Sequence, residues 1–346
     1  MTKQLILDLD PEELATHLQT LGQPRFRLQQ ILEGIYQHHY TAFDRLPNVP
    51  KKLVEQLNND FVFDPIILKS SIQSRDKKTE KYLFSLQDGK LIETVLMKYA
   101  SRNTVCISSQ VGCPLGCVFC ATGQMGFSRN LSIGEIVSQV LYSMRQLESK
   151  GEKLTNVVYM GMGEPFLNYA NVVASIDRLI NPDLSNFGAR RITISTVGLI
   201  PKLNQFTELD SQVNLAISLH APTDKLRSEL VPNNRLHPLE PLLAACRKYV
   251  NKTKRRLTFE YALIQDVNDS DQHARQLVSL IKGILCHVNL IALNPNKDYP
   301  MPGSSRERVD AFLAILQEAG IPSSIRLRRG IEINAGCGQL VSSQSE

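Results

Sequence analysis

The sequence predicts an α/β chain: a partial (β/α)6 barrel preceded by a small helical N-terminal domain. Two observations predict the barrel. From about residue 104 onward, six short apolar segments recur, at 104–108, 156–160, 191–195, 213–219, 257–263 and 287–293. Each leaves room for a helix before the next, and strands alternating with helices pair in parallel and curl into a full or partial barrel. A third observation sets the first 66 residues apart, where the apolar positions follow a helical period.

Asp10-Pro11-Glu12-Glu13-Leu14 reads as a helix start, with a capping Asp, Pro at the first position and acids in the first turn. A second helix is expected over 26–36, with Leu28, Ile31, Leu32 and Ile35 on one face, and a third after Pro50. Residues 67–103 are expected as a β-hairpin connector, because 82–86 and 91–96 flank Asp88-Gly89. The barrel core is expected over 104–330. Its clearest helix starts at Ser132-Ile133-Gly134-Glu135, a capping box. Residues 331–346 form a C-terminal loop that ends on a polar tail from Ser342 to Glu346.

The 346 residues suffice for one large and one smaller domain. No run of ~18 apolar residues is present, so no membrane span is expected. The N-terminus turns acidic within a few residues and lacks the apolar stretch of a signal peptide. A net charge of +5 permits an RNA partner without demanding one. Of seven cysteines, Cys106, Cys113, Cys117 and Cys120 crowd together, while Cys246, Cys286 and Cys337 lie apart. That pattern points to a metal site in a reducing compartment, the cytoplasm, and not to a disulfide framework.

In such a barrel the active site lies at the C-terminal ends of the strands. The polar segments cluster there. Cys113–Cys120 follows the first strand, Gly161-Met162-Gly163-Glu164-Pro165 the second, Ser195-Thr196 the third, Ser218-Leu219-His220 the fourth and Asn294-Pro295 the sixth. Read singly, Ser195 and Ser218 are strand-end caps, His220 a satisfied buried histidine and Asn294 a turn initiator before proline. Together they would face one cavity.

Cys113, Cys117 and Cys120 stand at C-x-x-x-C-x-x-C spacing, with Phe119 before the last. This resembles the radical S-adenosylmethionine (SAM) signature, in which three thiolates leave one iron of a [4Fe–4S] cube open. The alternative is structural zinc, which wants four ligands and would have to recruit Cys106. By the same resemblance, Gly163 and Glu164 belong to the glycine-rich strand that meets the SAM amino group, with the glycines letting the backbone approach the ligand. Ser195, Ser218, Leu219, His220 and Asn294 match further SAM-binding positions.

Over nearly its whole length the chain resembles the RlmN/Cfr family of radical SAM adenine methyltransferases. The resemblance rests on Gly22-Gln-Pro-Arg-Phe-Arg27, on Cys106-Ile-Ser-Ser-Gln110-Val-Gly-Cys113, on Gly126-Phe-Ser-Arg-Asn-Leu131 and on Cys337-Gly-Gln-Leu340. Departures are Ala335-Gly336 where the family has Ala-Ala, Glu332 where Asp is usual, and the segment from Asn294 to Tyr299. The resemblance implies that Cys337 carries the methyl group, that Glu93 is the proton acceptor and that Cys106 releases the product through a disulfide. It also implies one [4Fe–4S] cluster, two SAM per turnover, 23S rRNA and tRNA as substrates and an electron donor such as flavodoxin; a monomer is expected. Without the resemblance, Glu93 reads as a solvated strand residue. Lys252-Thr-Lys254-Arg255-Arg256 and Arg326-Leu-Arg328-Arg329 are candidate phosphate contacts. Two rivals stand beside this reading. One is the same chemistry aimed at adenine C8. The other is an RNA-binding module with zinc or a cluster and no catalysis.

Overall fold

The computed structural model describes residues 3–294, 301–326 and 329–340. The segment after Asn294, Leu327 and Arg328, and the polar tail lie outside the described residues.

The N-terminal segment is helical, as its period predicts. A short strand β1 (Gln4–Leu5) pairs in parallel with β2 (Phe61–Val62) and closes the segment on itself. Between them lie α1 (Pro11–Thr20), α2 (Phe26–Tyr36) and α3 (Lys51–Asp60). Asp10 and Glu13 form the capping box of α1. Leu14, Leu18, Ile31, Ile35, Leu53 and Leu57 turn inward.

Three antiparallel strands follow, β3 (Ile67–Gln73), β4 (Thr79–Ser85) and β5 (Leu91–Lys98). The β4–β5 turn is the expected hairpin, with Gly89 at φ +78°, a value only glycine takes cheaply. These strands do not stand apart as a connector. β5 pairs with β6 (Asn103–Cys106), and the hairpin continues the main sheet.

The core then runs β7 (Gln110–Gly112), α4 (Ala121–Gln124), β8 (Phe127–Asn130) and α5 (Ile133–Glu148). It continues through β9 (Asn156–Tyr159), α6 (Tyr169–Ile180), β10 (Ile192–Thr196), α7 (Ile200–Glu208) and β11 (Asn214–Ser218). The helices α8 (Asp224–Leu230) and α9 (Leu239–Thr253) lead to β12 (Leu257–Leu263). The last elements are α10 (Asp271–Ile281), β13 (Cys286–Ala292), α11 (Arg306–Glu318) and β14 (Ser323–Ile325). The sheet order is β14-β13-β12-β11-β10-β9-β6-β5-β4-β3, and every pairing from β6 to β14 is parallel. Among the described residues the pairing stays open, ending at β14 and β3. All six expected strands are present, and β14 adds a seventh to the parallel run. One face of the parallel strands is a continuous buried apolar layer, Val157, Ile192, Leu215, Ile217, Phe259 and Leu290, as strands covered by helices require; the other face carries Ser195, Ser218 and Glu260 toward the site. Among the described residues no helix is long and apolar enough to cross a membrane.

Candidate functional site

The loop from Cys113 to Cys120 is held from both sides. Cys113 N–H donates to the Gly126 carbonyl at 2.8 Å, Val118 N–H to Leu230 at 3.1 Å and Cys120 N–H to Cys117 at 3.1 Å. These bonds turn three thiols onto one wall of a cavity at the C-terminal ends of β9 to β13. Burial, the largest cause, pushes the Cys113 thiol up to about 12 and raises Cys117 and Cys120 too. A bound cation inverts that preference and takes thiolates. Among the described residues no three Cys, His, Asp or Glu side chains converge on a single metal ion. A [4Fe–4S] cube takes one thiolate per iron and needs no such convergence.

The other walls carry the expected SAM positions. Gly163, Glu164, Ser195, Ser218, His220 and Asn294 all line the cavity. Leu219 does not line it; fully buried, it donates its N–H to Glu260 and accepts from Arg227, so its part is backbone. The glycines have a packing role besides the expected one. A Cβ at Gly163 (φ +98°) would come within 2.5 Å of the Gln110 side chain, and one at Gly161 within 2.7 Å of Ile107 backbone. They let the loop after β9 pack on the segment after β6, and both glycines also line the cavity. Glu164 accepts from Phe166 N–H and Val197 N–H, each at 2.9 Å, and burial raises its carboxyl to about 7. Ser195 and Ser218 hydroxyls lie 3.3 Å apart. His220 sits at φ +61°; its Nδ1 accepts from Ala262 N–H at 3.0 Å, and burial lowers its imidazole to about 3. It is a neutral, fixed wall, edge-on to Phe119. Asn294 is 4% exposed and, among the described residues, its Oδ1 has no hydrogen-bond partner. A buried orphan acceptor facing three clustered thiols fits a ligand with N–H or O–H donors beside an iron–sulfur cube.

The C-terminal loop closes over this cavity. Gly338 carbonyl accepts from Ala121 N–H at 2.8 Å, and the Thr122 hydroxyl donates to Leu340 at 2.7 Å. Cys337 thereby lines the same cavity as the cluster cysteines and also a second, adjoining one with Cys106. Both thiols are free. Burial first, then the Cys337 thiol, pushes Cys106 up to about 12. Glu93 lines neither cavity. It is 2% exposed, not solvated as a lone strand carboxylate would be, and its Oε1 lies 2.8 Å from Lys81 Nζ.

Several site residues escape a sequence reading. Arg227 is fully buried; its guanidinium donates to Leu219, Val197 and Ser218 carbonyls and to Asn234, tying the ends of β10 and β11 together. Glu260 also lines the cavity, held by Asn289 at 2.9 Å. Arg326 does not face outward as a phosphate contact. It lines both cavities, and the Cys337 thiol, ahead of Glu260 and Cys106, raises its pKa further. Arg329 lies 3.7 Å from Asp76 and 4.6 Å from the Tyr99 ring centre. The 252–256 segment precedes β12, at the end of the sheet away from the site. There Arg255 is bound to Gln212 and Asn214. A signal existed for Lys81 alone: the Asp88-Gly89 turn sets a register that makes Lys81 and Glu93 diagonal neighbours.

Known proteins match this chain throughout. The Radical SAM superfamily model matches residues 107–278, and the ribosomal RNA large subunit methyltransferase N-terminal domain matches 5–62. A probable dual-specificity RNA methyltransferase RlmN of Dictyoglomus thermophilum is 45% identical over 337 residues, 97% of this chain and 96% of that protein. One of Geobacillus kaustophilus is 45% identical over 338 residues, covering 97% and 92%. The crystal structure of a radical SAM methyltransferase from Sphaerobacter thermophilus superposes with a TM-score of 0.97 at 47% identity, over 98% of this chain and 100% of that one. The superfamily brings SAM and a [4Fe–4S] cluster with it, and the cavity walls suit both. On fold, motifs and near-full-length likeness, the chain belongs to the RlmN family of radical SAM RNA methyltransferases.

Proposed function

We propose that this enzyme methylates C2 of an adenosine in 23S rRNA and C2 of the adenosine 3′ of the anticodon in tRNA. The observation that carries the reading is the placement of Cys337, on a loop bonded to the cluster loop and lining one cavity with the cluster cysteines and another with Cys106. One thiol thus meets both the cofactor chamber and a second thiol.

Cys113, Cys117 and Cys120 would hold the cluster, and Gly163, Glu164, Ser195, Ser218, His220 and Asn294 would surround SAM, with Leu219 contributing backbone between Ser218 and His220. When bound, these groups supply a hydrogen-abstracting 5′-deoxyadenosyl radical, which a poorly nucleophilic sp² carbon requires. Cys337 thiolate first takes a methyl group from one SAM by displacement. The resulting S-methyl carbon, once it has lost a hydrogen atom, joins C2 of an adenine flipped out of its stack. Glu93 accepts the C2 proton. Cys106 thiolate then attacks Cys337 sulfur; the bond from that sulfur to the methylene carbon breaks, the carbon keeps the electron pair and takes a proton to become the methyl group, and the methylated RNA leaves the new disulfide. Two SAM are consumed per turnover, and a flavodoxin-like donor provides the electron. The enzyme works as a cytoplasmic monomer, with residues 1–66, 104–330 and 331–346 as its structural units and 67–103 extending the main sheet of the second.

Expression in a host lacking its own enzyme tests this. The 2-methyladenosine peak should return in digested rRNA and tRNA. Finding only 8-methyladenosine would move the enzyme to C8 chemistry.

A further inference from the structure

Lys81 is half-buried on β4, a strand whose charged residues a solvated hairpin would leave in water. Its Nζ lies 2.8 Å from Glu93 Oε1, with side-chain exposures of 11% and 3%. The same Nζ lies 3.4 Å from the Asn334 carbonyl, on the loop that carries Cys337. Lys81 pairs with Val95 across β4–β5, and Val95 pairs with Cys106 across β5–β6. Residues directly opposite share a face of the sheet, as do residues two apart on a strand. Lys81, Glu93 and Cys106 therefore lie on one face, and the C-terminal loop reaches Lys81 from that side.

A buried ion pair contributes little net stability, because desolvation offsets the attraction. Its presence here calls for another reason. A carboxylate this deep, left without a cation, would favour its protonated form. A protonated acid cannot accept a proton. We propose that Lys81 is the positioning residue of the base: it keeps Glu93 a carboxylate and holds it on the Cys106 side until the RNA adduct forms. The C2–H bond then breaks, the proton passes to Glu93, the bonding pair stays on the ring, and the adduct's one unpaired electron would return to the group that Cys113, Cys117 and Cys120 hold. The Asn334 contact ties this arrangement to the loop that delivers Cys337. The inference rests on Glu93 being the base of the reaction.

The test uses full-length enzyme, anaerobically reconstituted, with a transcribed tRNA substrate and the variants Lys81→Met, Lys81→Arg and Glu93→Gln. In Lys81→Met, release of methylated RNA should fall on the order of 100-fold, the scale of a lost general base. Methylation of Cys337 and formation of 5′-deoxyadenosine should continue, and a covalent protein–RNA adduct should accumulate. Lys81→Arg should recover most of the release. Release by Lys81→Met within about two-fold of wild type would overturn the role. So would parallel loss of Cys337 methylation, which marks a merely structural lysine. Normal turnover by Glu93→Gln, with no adduct, would instead remove the base itself and the role of Lys81 with it.

Discussion

Arg227→Met is the most revealing perturbation of the scaffold. The methionine fills most of the volume but donates nothing. Four bonds disappear, to Leu219 O at 3.0 Å, Asn234 Oδ1 at 2.8 Å, Val197 O at 2.7 Å and Ser218 O at 3.2 Å. Asn234 keeps its amide bonds to Asp224 and Ser228. The Leu219 carbonyl still accepts from Ala221 N–H at 2.9 Å, but Val197 O, Ser218 O and Asn234 Oδ1 lose the guanidinium, and each buried acceptor left unpaired costs about 1–3 kcal/mol. Relief of the buried charge offsets part of this; desolvation already lowers the guanidinium pKa to about 10. The expected loss is about 4 kcal/mol, a large share of the ~5–15 kcal/mol typical of a domain. The chain has no tryptophan, so urea unfolding is best followed by circular dichroism. A loss below about 1 kcal/mol would refute the view that Arg227 clasps the two strand ends.

Two further variants separate causes. Gly163→Ala should cost about 3 kcal/mol in urea unfolding, since it adds a clash with Gln110 to an unfavourable φ of +98°, whereas Gly116→Ala, at φ +62° in open space, should cost about 1 kcal/mol. Equal costs would show that backbone strain alone matters. Thr122→Val removes the hydroxyl that holds Leu340, and hydrogen exchange at the Ala121 amide should quicken about ten-fold; an unchanged rate would mean the C-terminal loop is held elsewhere.

The sequence was readable wherever structure is local. β10 and β11 carry runs such as Ile192-Thr-Ile194 and Leu215-Ala-Ile217, and both were placed within a residue or two. β14 escapes a sequence reading because Ser323-Ser324-Ile325 holds one apolar residue and borrows its pairing from β13. β3 escapes it because all seven residues are exposed, so no face is distinguished. The cysteine and glycine motifs were legible as sequence, but the packing reason for Gly161 and Gly163 depends on Ile107 and Gln110, more than fifty residues earlier. Arg227 carries no motif, and a lone arginine reads as surface until the carbonyls around it are seen. Arg326 stands in a basic run that reads as a phosphate contact until the thiols around it are seen. The burial of Glu93 follows from the hairpin becoming part of the main sheet, which its turn signal alone does not reveal.

The sheet order has a bearing on how the chain reaches this state. From β6 to β14, each parallel strand lies beside the one that precedes it in the sheet's own sequence: β6, β9, β10, β11, β12, β13, β14. No later strand inserts between two that are already paired. The antiparallel β3–β5 meander is local and forms readily, and it offers β6 an edge. Every crossover then adds one strand to an existing edge, so the sheet can grow in the order in which the ribosome delivers it. The cavity follows the opposite schedule. Its walls come from Cys113 at one extreme and from Asn294 and Cys337 at the other. A partly synthesised chain can hold a well-formed sheet and an incomplete chamber, and closure waits for the segment bearing Cys337.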